Sequence, residues 1–358
     1  MVIQPSHWQN TSVLVTGHTG FKGSWLSLWL SRLGARVHGY ALDSPTTPNL
    51  FESARVADGL ASDIRANILE LGTLKQALHV AQPSVIFHLA AQPLVRIGYA
   101  EPLETFSTNV IGTANLLEAI RDVPSVKAVV IVTTDKVYDN REWIYPYREI
   151  DALGGYDPYS ASKAAAELVV ASYRASFFSS PLQHFPNIAT ARAGNVIGGG
   201  DWAQDRLIPD CLRSFEQGKP LKIRYPQAVR PWQHVLESLS GYLLLAEKLL
   251  GSDGNNYARA WNFGPTIDEH ASVSNVVERI ATCGGWLEQI EFLASGNNPH
   301  EAGLLQLDAS RARLELGWRM CWSLDRALKA TVEWHQAWLA HKDMYAFTLK
   351  QIDTYQNQ

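Results

Sequence analysis

Tyr159 and Lys163 stand four residues apart in Tyr159-Ser160-Ala161-Ser162-Lys163. On a helix this spacing puts both side chains on one face. An ammonium beside a phenol favours the phenolate, so the pair predicts a tyrosine that acts as a base below its ordinary pKa of about 10. Such a base can take a hydroxyl proton while the carbon bearing that hydroxyl gives up hydride. Upstream, Thr133-Thr134-Asp135-Lys136 sets an acid and an amine side by side after two hydroxyls. Oxidation alone has no use for that second pair, which points to a further proton-transfer step. Taken singly, the Tyr–Lys pair also fits a solvated helix face, and the Asp–Lys pair a surface ion pair at a strand end.

The elements that would carry these residues follow a regular order. Ser12-Val13-Leu14-Val15-Thr16 reads as a buried strand, and a glycine turn over 17–23 follows it. Trp25, Leu26, Trp29, Leu30 and Leu33 then recur at helical spacing, with Gly34 as the stop. Residues 37–42 form a second strand, Asp63-Ile64 closes a third, and 84–89 a fourth. A helix is expected over 103–120. The apolar strand 128–132 delivers Thr133 and Thr134, the Tyr159 helix runs on through Leu168 and Val169, and 188–193 is one more strand. Short apolar strands alternating with helices predict an α/β fold of Rossmann type, a doubly wound parallel sheet covered on both faces. After about Asn195 the alternation fades into Pro-punctuated stretches. Residues 1–194 are therefore expected to form a dinucleotide-binding domain and 195–358 a smaller C-terminal substrate-binding lobe, with segments crossing back to the first.

Gly17-x-x-Gly20-x-x-Gly23, with Phe21 and Lys22 inside it, lies between the first strand and first helix. There glycines let backbone approach a pyrophosphate, and a helix N-terminus supplies N–H groups and positive dipole. Asp43 ends the second strand, about 20 residues further on, where an acid can bind a ribose 2′-hydroxyl and repel a 2′-phosphate. That favours NAD over NADP; the alternative for Asp43 is a turn residue before Ser44-Pro45. The glycine spacing resembles that of the short-chain dehydrogenase/reductase superfamily. In its extended members an Asp followed by an apolar residue at the place of Asp63-Ile64 flanks the adenine, although Asp63 could equally cap the following helix. The resemblance also places Leu89, Ala90, Ala91, Asn109 and Thr133 beside the cofactor, and Gln92 toward the substrate.

The resemblance assigns Thr134, Tyr159 and Lys163 to oxidation of a sugar hydroxyl. It further distinguishes epimerases, which only oxidise and rotate a C4 ketone, from 4,6-dehydratases, which need an acid and a base beside it. Once C4 is a ketone, the C5 proton is acidic and the C6 hydroxyl lies β to the carbanion. Asp135 is the candidate acid at C6. Lys136 is either the base at C5 or a cation that stabilises the enolate. An acid near neutral pH requires Asp135 to be desolvated, and a base requires Lys136 to be neutral. Dehydratases for dTDP-glucose and GDP-mannose carry Glu at the place of Lys136. The Asp–Lys pair, with Asp139-Asn140-Arg141-Glu142-Trp143 and Gly154-Gly155-Tyr156-Asp157-Pro158, resembles the CDP-D-glucose branch of these lyases, although some UDP-N-acetylglucosamine 4,6-dehydratases share the pair, which by itself does not identify the nucleotide. That resemblance implies CDP-glucose as substrate, NAD as a cofactor that is regenerated, a product for deoxysugar and surface-polysaccharide synthesis, and a homodimer joined by four helices.

In the second lobe, Asn195, Arg206, Arg230 and Gln233 fall where the family binds the nucleotide diphosphate. Arginine suits phosphate because its planar fork donates in two places. No His pair has metal-ligand spacing, so no metal is assigned. The 358 residues carry a formal charge of −4, which argues against nucleic acid or an anionic membrane as partner. Three scattered Cys, Cys211, Cys283 and Cys321, imply neither a disulfide framework nor zinc. No apolar run approaches a membrane span, and the polar start over 1–11 lacks a signal peptide, so a cytoplasmic location is expected.

Overall fold

Val13 and Val15 pack on one side of the central sheet, and Leu14 between them packs on the other. This is the period-two alternation of a strand whose both faces are buried. In a computed structural model, which describes residues 3–179, 185–223, 225–266, 269–286, 290–291 and 303–358, that strand is an interior strand of a seven-stranded parallel sheet. The strands are β1 (Ser12–Thr16), β2 (Arg36–Ala41), β3 (Ser62–Arg65), β4 (Val85–His88), β5 (Ala128–Val132), β6 (Asn187–Ala193) and β7 (Ala260–Phe263). Their order is β7-β6-β5-β4-β1-β2-β3. The direction of winding reverses between β1 and β4, and in such sheets the crevice beyond those strand ends is where ligands bind.

On one face, α1 (Phe21–Arg32) contributes Trp25 and Trp29, α6 (Val235–Leu250) contributes Leu236, Leu239 and Leu243, and α8 (Leu324–Leu339) contributes Trp334. The remaining helix of this layer, α9 (Met344–Gln356), adds Tyr355. The opposite face is covered by α2 (Leu71–Ala81), α3 (Gly112–Ile120) and α4 (Pro158–Phe177) through Leu74, Leu78, Leu116, Ile120 and Val170. A third cluster is formed by the chain after residue 194. It joins α5 (Leu207–Glu216), α7 (Val273–Gly284), Trp232 and the first turns of α8. The chain after residue 194 therefore returns to the sheet: β7 extends it, and α6, α8 and α9 share its core. Cys211 is buried in the third cluster, and all three cysteines are free. Among the described residues no helix is long and apolar enough to cross a membrane.

The helix expected over 103–120 is not regular. It divides into Pro102–Phe106, a wider π-type turn over Ser107–Ile111, and α3. Asn109 sits in that turn and its carbonyl accepts from the Thr113 hydroxyl at 2.7 Å. Widened turns of this kind re-aim side chains, frequently at functional sites. Gly112 follows because a Cβ there would stand 2.7 Å from Ile68 Cγ2.

Candidate active site

The glycine turn is built by backbone contact. Gly17 has φ +74°, and a Cβ on it would lie 2.7 Å from the Ala90 nitrogen. A Cβ on Gly23 would lie 2.1 Å from the Gly17 carbonyl oxygen. Both positions exclude any side chain, and together they let α1 begin directly beneath the turn with Gly20 as its N-cap. The cavity in front has a volume of about 1420 Å³ and runs from Gly17, Gly20, Phe21, Lys22 and Gly23, past Leu89, Ala90 and Ala91, to Asn195, Arg206 and Arg230. A long trough that starts on glycine backbone and a helix N-terminus suits a dinucleotide.

The residues whose types suit proton and hydride transfer converge on it: Thr133, Thr134, Asp135, Lys136, Tyr159 and Lys163 all line the wall. Thr133 and Thr134 follow β5, whose neighbours β4 and β6 fix its end. Thr134 then caps the short turn Asp135–Val137. Tyr159 enters on the first turn of α4. That helix starts where Asp157 accepts from the Ser160 amide at 3.0 Å and hydroxyl at 2.6 Å, with Pro158 in the first position, which needs no N–H donor. Asp135 is 2% exposed, and burial raises its carboxyl pKa against the opposing pull of Lys136, Thr134, Arg230 and Lys22. The desolvation that an acid at this place requires is thus present.

The expected depression of the Tyr159 pKa is not. Burial pushes the phenol up to about 12, and the neighbouring Thr134 hydroxyl and Arg206 only partly oppose the rise. Lys163 does not supply the compensating charge, because its amine donates to the Val132 carbonyl at 3.1 Å and burial lowers its pKa to about 8. One turn further along α4, Glu167 opposes that fall. Glu167 is itself gripped by Arg192 Nε at 2.8 Å and Nη2 at 2.9 Å, and by the hydroxyls of Thr133 and Thr190 at 2.6 and 2.7 Å. This buried network ties α4 to the ends of β5 and to β6.

Several expected ligand contacts are spent inside the protein. Asp63 pairs with His18 at 2.8 Å and with Arg65 at 2.8 and 2.9 Å, and neither it nor Ile64 reaches the cavity wall. At this strand end Ala66, Asn67 and Ile68 line the cavity instead. Asp43 does lie on the rim, with its side chain 92% exposed and 3.2 Å from Arg65. Asn109 is buried, holding both backbone groups of Gln92 and donating to Ser162 Oγ at 2.8 Å. Gln92 turns its amide inward to Leu94 and Thr105 and does not line the cavity. Gln233 is fully buried and donates to the Phe263 carbonyl at 2.9 Å, so it supports β7 and faces no ligand. Arg206 lines the cavity while paired with Asp201 at 3.0 Å. Arg230 donates to the Val229 and Gly303 carbonyls and faces Asp135.

Lys22 stands out beyond its place in the glycine turn. Its amine points past the backbone to Tyr242 Oη at 3.3 Å, within electrostatic reach of Asp135, Arg206 and Lys163. Burial, reinforced by the two other cations, lowers its pKa to about 7. The sequence signal was a lone lysine amid the apolar repeat of α1; Tyr242 gave none.

The profile of the GDP-mannose 4,6 dehydratase family matches residues 14–331. The chain belongs to that family. It is similar to a CDP-glucose 4,6-dehydratase of Salmonella typhimurium (strain LT2), at 50% identity over 99% of this chain and 98% of the relative. It is also similar to a dTDP-glucose 4,6-dehydratase of Haemophilus influenzae, at 24% identity over 90% of this chain and 97% of the relative. Among solved structures, dTDP-glucose 4,6-dehydratase from Bacillus anthracis in complex with NAD is 25% identical and superposes with a TM-score of 0.75, covering 91% of this chain and 96% of that one. UDP-glucose 4-epimerase from Thermotoga maritima superposes with a TM-score of 0.78 at 23% identity, covering 91% and 99%, which speaks to the fold alone. Epimerase and dehydratase thus share this backbone, and the choice between them lies in the side chains at its centre.

Proposed function

We propose that the chain is an NAD-dependent CDP-D-glucose 4,6-dehydratase, a hydro-lyase that forms CDP-4-keto-6-deoxy-D-glucose. The observation that carries this reading is a buried Asp135 and an adjacent Lys136 in the same cavity wall as Tyr159, Lys163 and Thr134. The half-identical relative of nearly equal length supports the nucleotide. Bound NAD supplies a hydride acceptor for C4 and a hydride donor for C6.

Each protein residue then has a task set by its position. Gly17, Gly20 and Gly23 admit the pyrophosphate to the N-terminus of α1, with Phe21 and Lys22 on that turn and Leu89, Ala90 and Ala91 packed beside it. Asp43 on the rim is placed for a ribose hydroxyl. Tyr159 takes the C4 hydroxyl proton. Its phenol must first lose its own proton, and Arg206 is a cation near enough to lower that cost. Lys136 removes the C5 proton or holds the enolate as a cation. Asp135, whose carboxyl pKa burial raises, protonates the departing C6 oxygen. Arg206, Arg230 and Asn195 face the diphosphate end.

A homodimer is part of the reading. Leu103, Phe106, Ile111, Leu168 and Phe177 leave apolar side chains exposed on the 102–120 segment and α4, with Leu103 83% and Leu168 61% exposed. Two copies of that face would form a four-helix contact and bury it. The substrate test is incubation with CDP-, dTDP-, GDP- and UDP-glucose or mannose, with keto-sugar formation as the readout. Selective formation from CDP-glucose is expected, and equal turnover of another nucleotide sugar would contradict the assignment.

A further inference from the structure

The dehydration leaves a proton in the wrong place, and the structure contains a route that returns it. This inference rests on the dehydratase reading. Oxidation at C4 leaves the hydroxyl proton on Tyr159. Loss of water breaks the C6–O bond, and the departing hydroxide takes the proton of Asp135. The C5 proton goes to its base and a proton comes back to C5 when C6 receives hydride. The cofactor and the C5 base end as they began. Tyr159 has then gained one proton and Asp135 has lost one. Every turnover must move a proton from the phenol to the carboxylate.

Asp135 is badly placed to take that proton from bulk water. It is 2% exposed, its Oδ2 lies over Gly194 with no hydrogen-bond partner, and its Oδ1 accepts from Thr134 Oγ1 at 3.0 Å. The same hydroxyl stands close enough to the Tyr159 phenol to act on its pKa. Thr134 is 5% exposed and Tyr159 8%, so the three groups form a continuous buried line. We infer that Thr134 relays the proton from Tyr159 to Asp135, so that oxidation at C4 loads the acid that expels water from C6. In the step, the Tyr159 O–H bond breaks as a new bond forms to Thr134 Oγ1. The former hydroxyl proton of Thr134 passes to Asp135 Oδ1. Threonine ends neutral, and no proton enters or leaves the cavity. The coupling also sets an order: the acid becomes competent only when a ketone is already present, which protects the unoxidised sugar.

Lys22 is the competing donor, because its amine also lies near Asp135. The test uses the holoenzyme with CDP-glucose, rapid quenching and mass spectrometry. Thr134→Val should slow water loss about 100-fold or more, the usual reach of a positioned acid, and far more than it slows oxidation, so that CDP-4-ketoglucose accumulates. Raising the concentration of acetate buffer should restore water loss, and Thr134→Ser should behave as wild type. Conversion of the keto sugar at the wild-type rate in Thr134→Val would give the role to Lys22 and overturn the inference. Equal slowing of both steps, with no response to buffer, would also overturn it. The wild-type enzyme provides a second reading that needs no variant. Water loss measured across mixtures of H₂O and D₂O should give a bowed dependence, from two protons in flight, and a straight line would refute the relay. If wild type forms no keto sugar from CDP-glucose, the substrate assignment has failed instead.

Discussion

Replacing Lys22 by Met should make the protein more stable near neutral pH, and the gain should vanish in alkali. The folded chain holds this amine at about 7 against an ordinary 10.5. Between those values the unfolded chain binds a proton that the folded chain does not, so this group destabilises the fold below pH 10.5, with the full penalty below about 7. The drop from 10.5 to about 7, at about 1.4 kcal/mol per pH unit, corresponds to a penalty of about 5 kcal/mol. Lys22 lies deep in the protein but lines the cavity, and solvent there relieves part of the penalty; we take about half. Loss of the hydrogen bond to Tyr242 costs about 1 kcal/mol. Lys22→Met should therefore gain about 1–2 kcal/mol at pH 7 and nothing by about pH 9. Urea denaturation of nucleotide-free wild type and variant, at about pH 7 and about pH 9.5, reads the difference directly. A variant that is less stable at neutral pH, or a margin that does not change with pH, would refute the reasoning. The stability given up by the wild type is the kind of cost that a functional position carries.

Four further outcomes are expected. Tyr159→Phe should fold normally yet fail to oxidise CDP-glucose, and absence of any keto sugar on quenching checks it. Asp135→Asn should slow water loss about 100-fold or more while C5 still exchanges with solvent deuterium, measured by NMR; undiminished turnover would remove its acid role. Glu167→Ala leaves Arg192 buried without its partner and should cost about 3–5 kcal/mol in urea denaturation. Gly23→Ala forces a Cβ to within 2.1 Å of the Gly17 carbonyl and should abolish NAD binding, as read by titration calorimetry.

The fold was legible where packing and local chemistry agree. The strand from Ser12 to Thr16, the strand from Ala128 to Val132 and the helix from Leu324 to Leu339 have the bounds that apolar pattern and turn residues imply. The grouping of Thr134, Asp135, Lys136, Tyr159 and Lys163 on one cavity was legible because each sits next to a strand end or helix start that the pattern marks. Polar residues whose partners are distant in the chain were not. Gln233 is claimed by the Phe263 carbonyl, Asp63 by His18, and Gln92 by Thr105, and no spacing announces those pairings. Lys22 looked like one more residue of a glycine turn because Tyr242 lies 220 positions away. The π-type turn at Ser107–Ile111 was likewise invisible, since its apolar spacing is that of an ordinary helix. The Tyr159 pKa failed for a different reason: the Tyr–Lys spacing was right, but Lys163 spends its proton on Val132 and burial decides the phenol.

The central claim is that hydride taken from C4 is returned to C6 of the same sugar. CDP-glucose carrying deuterium at C4, incubated in ordinary water, tests it most directly. The deuterium should reappear in the C6 methyl group of a 4-keto product; deuterium found back at C4 of an epimerised sugar, or lost altogether, would contradict the account.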